Sequence, residues 1–236
     1  MPFTISHAIA AFPLHHLTRR KIPVMPVVIG SMSPDFPYLL FMTPVHAPGH
    51  SIPGVWIYCL LPALLMLALW YRWLEKPILN LLALPQGQIV WNIREGLLVI
   101  LGVLLGAYSH LLRDATSHSY GYFVQNSEFW HAELFGLPLY KLNQYGSGVL
   151  GLAGLVLWYA KLKTESQQVV ESTHLKMAFV IYTGSILLFV LAANLLHESA
   201  GLSYVAVRSA IGLINGIAIG CVIYAVWSSR SSQKSR

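Results

Sequence analysis

The chain has 236 residues, of which 56% are hydrophobic and only 10% charged, against about 25% charged in a typical soluble domain. That balance excludes water as the solvent for most of the surface. The formal charge of +6 sits in short clusters beside apolar runs, so it reads as membrane topology and not as a nucleic-acid-binding face. Cys59 and Cys221 lie inside apolar stretches without a CxxC spacing, which indicates neither a disulfide framework nor a thiolate zinc site.

The first 42 residues hold two short apolar segments, 3–17 and 24–41, on either side of the basic turn Thr18-Arg19-Arg20-Lys21. Pro26, Pro34 and Pro37 interrupt the second segment. This pattern predicts an N-terminal helical hairpin over 1–42. At 1.5 Å per residue, His7 lies about as far before the turn as Asp35 lies after it, so a hairpin brings both to the same end. The alternative is a true sixth span, which leaves His7 on the inner side.

Five spans follow, over 52–74, 96–112, 147–162, 177–196 and 204–227. A helix needs about 20 residues to cross about 30 Å of hydrocarbon, and the third is short by that measure. The predicted fold is therefore all-α: a polytopic membrane bundle forming one domain over 1–227, with a polar, disordered tail over 228–236. Basic residues set the orientation. Arg72, Lys76 and Arg94 flank one connection, Lys161, Lys163 and Lys176 another, and Arg230, Lys234 and Arg236 follow the last span. These ends are expected to be cytoplasmic, the C-terminus included, and the intervening loops, 114–146 the longest, to face outward. Gly212, Gly216 and Gly220 recur every four residues in the last span. Such a stripe admits another helix closely, here from the same chain or from a second copy in a homo-oligomer.

The polar residues are concentrated at the outer end. In Ser109-His110-Leu111-Leu112-Arg113-Asp114-Ala115-Thr116-Ser117-His118, helical spacing places His110, Asp114 and His118 on one face. Imidazole nitrogen and carboxylate oxygen are ligands for zinc and related divalent ions, and i, i+4 placement is a common way to present two of them. Taken alone, a histidine at a membrane boundary is more often an interfacial residue. Asp35, however, interrupts an apolar run where an unpaired carboxylate costs ~2.5 kcal/mol or more. His50, in His50-Ser51-Ile52-Pro53-Gly54, stands where the chain enters the first long span. His7, Asp35, His50, His110, Asp114 and His118 are thus the expected ligands of one or two zinc-like ions. Asp35 or Asp114 is the expected base if it is not a ligand. Glu128, His131, Glu133, Tyr140, Lys141, Tyr145, His46 and the pair His197-Glu198 read as loop or interface residues, and His15 and His16 lie near the basic turn.

The segments Thr4-Ile5-Ser6-His7, Gly30-Ser31-Met32-Ser33-Pro34-Asp35, His50-Ser51-Ile52-Pro53-Gly54, Ser109-His110-Leu111-Leu112-Arg113-Asp114 and Pro138-Leu139-Tyr140-Lys141-Leu142-Asn143 resemble a bacterial membrane-protein family, domain of unknown function 4184. This likeness implies the bacterial cytoplasmic membrane and supplies no activity. More distantly, the order His, Pro-Asp, His-Ser, His-xxx-Asp resembles membrane-bound metal-dependent hydrolases and the zinc-dependent phospholipase C group. That likeness implies a metal-activated water acting on an ester or phosphodiester of a lipid or lipid-linked substrate, with the six residues as ligands. The phospholipases continue with a His-xxx-Glu pair, and none follows His118 here; His131-Ala132-Glu133 has the wrong spacing. The competing expectation is a transporter or a structural or regulatory membrane protein whose cluster binds metal or protons.

Overall fold

The computed structural model describes residues 4–86, 92–166, 168–198 and 201–234. After a short 3-10 helix, Thr4–Ala10, the chain forms α1 (Ala11–Leu17), α2 (Val24–Met32) and, beyond a 3-10 turn at Ser33–Asp35, α3 (Phe36–Phe41). The long helices are α4 (Ile52–Leu81), α5 (Ile93–Ser117), α7 (Leu139–Glu165), α8 (Ser172–Leu195) and α9 (Leu202–Lys234). A single turn, α6 (Tyr122–Gln125), and a two-stranded ribbon pairing Glu133–Leu134 with Leu137–Pro138 occupy the loop between α5 and α7. The all-α bundle expected from composition is what forms.

Among the described residues, five helices are long and apolar enough to cross a membrane: Val24–Phe41, Ile52–Leu81, Ile93–Gln125, Ser172–Leu195 and Leu202–Ser231. The set differs from the sequence reading at two places. Val24–Phe41 joins it, because the helix is continued through Pro34 by a 3-10 turn instead of being broken there. The helix containing 147–162 is 27 residues long but is not among the five, its glycines and polar ends diluting it. Outward-facing side chains are apolar along these helices, Trp56, Ile57, Leu61 and Leu65 on α4 and Phe179 and Leu188 on α8 all being more than half exposed. This is the surface of an integral membrane protein, where lipid and not water covers the apolar groups.

Helix ends follow local chemistry. Ser51 caps α4, its side chain accepting from the Gly54 N–H at 3.1 Å, with Pro53 in the first turn. Asn92 caps α5 by accepting from the Glu95 N–H at 2.9 Å. The N-terminal hairpin is present, α1 running back along α2, and the Thr4 hydroxyl donates to Asp35 Oδ2 at 2.6 Å across it. The part of the hairpin before Thr4 lies outside the described residues.

The hairpin is set into the bundle by a close crossing of α2 and α5. A Cβ on Gly106 would meet the Ser31 backbone nitrogen at 2.7 Å and the Gly30 carbonyl carbon at 3.0 Å, so the two backbones touch only because glycine stands there. The Gly212, Gly216 and Gly220 stripe works in the same way against α8 of its own chain, with Val190 Cα 2.7 Å from a Cβ on Gly212 and Tyr182 and Ser185 facing Gly220. The stripe is therefore packed against a helix of its own chain. One more expectation is corrected at the C-terminus, where 228–234 continue α9 as helix, since nothing in Ser228-Ser229-Arg230 breaks an already nucleated helix. Residues 235–236 lie outside the described residues.

Candidate metal centre

Four elements converge at one end of the bundle. The 3-10 helix at the N-terminus presents His7, the 3-10 turn after α2 presents Asp35, and the loop turn just before the Ser51 cap presents His50. The last turns of α5 present His110 and Asp114, whose spacing puts them on the same face. His118 departs from the expected helical register. It is the C-cap of α5, with extended backbone at φ −120° and ψ 146°, yet its Nδ1 still lies 3.4 Å from Asp114 Oδ1. All six sequence-predicted residues are thus in one cluster. His7, Asp35, His110 and Asp114 are buried, and His50 is partly open.

The inner part of the cluster is made by His50, His110, Asp35 and Asp114. His50 Nε2 lies 3.2 Å from Asp35 Oδ1 and 3.6 Å from Asp114 Oδ2. His110 Nε2 lies 3.6 Å from Asp35 Oδ1 and 3.3 Å from Asp114 Oδ2. The two Nε2 atoms are themselves 3.3 Å apart. Ligand-to-ligand separations of this size are those a tetrahedral ion imposes when it is bound at about 2.0–2.2 Å, the zinc range for nitrogen and oxygen.

The tautomers sharpen this picture. His110 Nδ1 faces the Ser31 carbonyl at 2.8 Å and His50 Nδ1 faces the Ala47 carbonyl at 3.3 Å. A carbonyl only accepts, so each Nδ1 carries a proton, and a neutral imidazole has just one. When both rings are neutral, their Nε2 atoms point lone pairs at each other and at carboxylate oxygens. Asp35 Oδ1 and both oxygens of Asp114 are buried without a hydrogen-bond partner. Acceptors turned inward on one another repel unless a cation lies among them, and imidazoles fixed by carbonyls on their far nitrogens are the usual outer support of a metal site. The residues present could hold a metal ion: His7, His110 and Asp114 form one compact group and Asp35, His50 and His110 another.

The outer part is wired differently. Arg113 donates to His7 Nε2 at 2.6 Å, to Ser147 Oγ at 3.0 Å and to the Gln144 carbonyl at 3.4 Å. The lone pair of His7 is therefore spent on a guanidinium, while its ring stacks on His110 with centroids 3.9 Å apart. Gln144 also meets His118 Nε2 at 3.0 Å. Sequence reasoning passed over Arg113, Gln144 and Thr4. Arg113 carried a usable signal, being a cation beside Asp114 in an apolar helix; Thr4 and Gln144 carried none, since such residues are common in any position.

His50 connects the cluster to the exterior. It lines a cavity of about 550 Å³ together with Tyr38, His46, Ile57, Tyr58 and Tyr120. Of the weaker candidates, His131 holds the Val124 carbonyl at 3.0 Å and His197 the Phe41 carbonyl at 3.0 Å, both as loop ties.

The family model for domain of unknown function 4184 matches residues 1–226. The chain belongs to that family. The match takes in every element that builds the cluster, so the site of this DUF4184 protein lies wholly inside the family domain. No curated protein and no solved structure matches the chain significantly.

Proposed function

We propose that this protein is a membrane-bound, zinc-dependent hydrolase that cleaves an ester or phosphodiester of a lipid or lipid-linked substrate. The observation that carries the reading is the pair of His50 and His110 Nε2 atoms, 3.3 Å apart with their other nitrogens turned to carbonyls. With neutral imidazoles, the buried set comprises two carboxylates and one guanidinium, so a divalent cation is favoured electrostatically. Both compact groups use His110, whose Nε2 is its one free nitrogen, which favours a single ion held by Asp35, His50, His110 and Asp114. Such an ion supplies a water whose pKa falls from 15.7 towards ~7 and a Lewis acid for the scissile oxygen.

The chain's own groups fill the remaining roles. Thr4 holds Asp35 Oδ2 and so turns Oδ1 inward. Asp114 offers Oδ2 to the inner pair, while Oδ1 faces His7 and His118 at 3.8 and 3.4 Å; in this reading that second oxygen takes a proton from an attacking water. Arg113 anchors His7 and fixes the outer edge of the site. The cavity reaching His50 runs past Ile57 and Tyr58, which are exposed on the lipid-facing side of α4, so an apolar tail can lie against lipid while the polar linkage reaches the cluster.

Elemental analysis of detergent-purified protein should give about one zinc per chain. His50→Ala and His110→Ala should lose it, while His7→Ala should retain most of it. Metal-loaded wild type should hydrolyse members of a panel of labelled phospholipids and phosphodiesters, and Asp114→Asn should not. Loaded protein that cleaves no ester yet moves ions across vesicles would replace the hydrolase reading by transport.

A further inference from the structure

A second cavity, of about 470 Å³, lies at the end of the bundle away from the His/Asp cluster. It is bounded by the hairpin turn, the C-terminal end of α4 and the C-terminal end of α7. Its walls are aromatic and aliphatic, with Phe12, Met25, Trp70 and Trp158 among them, and Phe12 packs edge-on against Trp158 with centroids 5.8 Å apart. Its rim is cationic. Arg20 and Lys161 both border it and both side chains are exposed, and among the described residues neither is paired with a carboxylate. Glu165 also borders it and offsets part of that charge.

Two further features concern the same place. Arg19 and Arg20 are both left-handed, at φ 52° and 62°, held there by N–H bonds to the His16 and His15 carbonyls at 2.9 and 2.8 Å. Residues with a Cβ resist that conformation, and a tight helix end of this kind ordinarily uses glycine. Here the strained positions are occupied by the two residues whose charged ends the turn displays. In the wall, the indole N–H of Trp70 is buried and meets no acceptor, at the start of a π-helical segment, Trp70–Leu74, of the sort that recurs at functional sites.

We infer that this cavity binds an anionic phospholipid from the adjacent leaflet, its phosphate between Arg20 and Lys161 and an acyl chain against Phe12, Trp70 and Trp158. Two permanent cations against one carboxylate select a net negative headgroup over a zwitterionic one. The aromatic wall selects a ligand with a tail over free phosphate. The site is independent of the hydrolase reading, since none of its residues touches the His/Asp cluster.

The test uses full-length protein in mixed micelles, with tryptophan fluorescence quenched by phosphatidylglycerol brominated on its acyl chains. Quenching should saturate at a low mole fraction of this lipid, and brominated phosphatidylcholine or phosphatidylethanolamine should require several times more. Arg20→Gln and Lys161→Gln should each raise the half-saturating fraction about fivefold, the worth of one basic residue near an anionic lipid. Lys161→Arg should restore it, which guards against a variant that fails to fold. Equal quenching by the three lipids, or a folded double variant that still saturates like wild type, would overturn the proposal. So would full competition by glycerophosphate, which has the phosphate without the tail.

Discussion

Replacing Asp35 and Asp114 together by asparagine should stabilise the metal-free protein, although both residues are buried. Three carboxylate oxygens in the cluster are buried without a hydrogen-bond partner, and an unsatisfied buried acceptor costs about 1–3 kcal/mol, more when charged. The smallest sum is about 3 kcal/mol, or about 6–12 °C in Tm at the 2–4 °C per kcal/mol of a chain this long. A bound divalent ion removes that cost, and so do neutral amides, whose NH2 groups can donate to the facing Nε2 atoms. Thermal melting of detergent-purified protein, followed by its seven tryptophans, should therefore show three results. Chelation should lower the wild-type Tm by about 6–12 °C, and zinc should restore it. The double variant without metal should melt above chelated wild type. Zinc should leave the variant's Tm unchanged. If chelated and zinc-loaded wild type melt within about 2 °C of each other and the variant melts below both, the cluster is a self-sufficient ionic network and the cation argument fails.

Two other outcomes test the architecture. Gly106→Ala would press a methyl group into the backbone of α2, at about 1–3 kcal/mol or more; because α2 and α5 carry opposite walls of the cluster, metal content should fall along with Tm. If the metal stays at wild-type level, the crossing does not govern the site. Reporter fusions at Gln125 and after the C-terminal helix should lie on opposite faces of the membrane, the C-terminal one cytoplasmic by its basic flank, and finding both on one face would overturn the chain tracing through α7, α8 and α9.

The membrane class and the all-α fold were legible because they depend on sums over long windows: 56% hydrophobic residues and runs near 20 apolar positions leave no other solution. The six residues of the cluster were legible for a related reason, since each ionisable group in an apolar run is conspicuous against its neighbours. The hairpin turn was marked by its basic residues, and equal path lengths on either side sufficed to bring His7 and Asp35 to one end. What misled was local. The prolines at 26, 34 and 37 suggested a break, but Pro34 falls in a 3-10 turn that the helix continues through, so the segment becomes one of the five long apolar helices. The glycine stripe named a close contact without naming its partner, which proved to be α8 of the same chain.

By itself, then, the sequence determined the solvent this chain needs, its helical class and which side chains have an unusual cost to bury. Only the tertiary structure decided that Nε2 of His50 faces Nε2 of His110 while Ser31 and Ala47 carbonyls fix the opposite nitrogens, that Arg113 takes the lone pair of His7, and that the stripe in α9 packs against α8. The difference is physical. Burial cost accumulates residue by residue along the chain, whereas the direction of a lone pair depends on backbone carbonyls as far as 79 positions away, which no local pattern encodes.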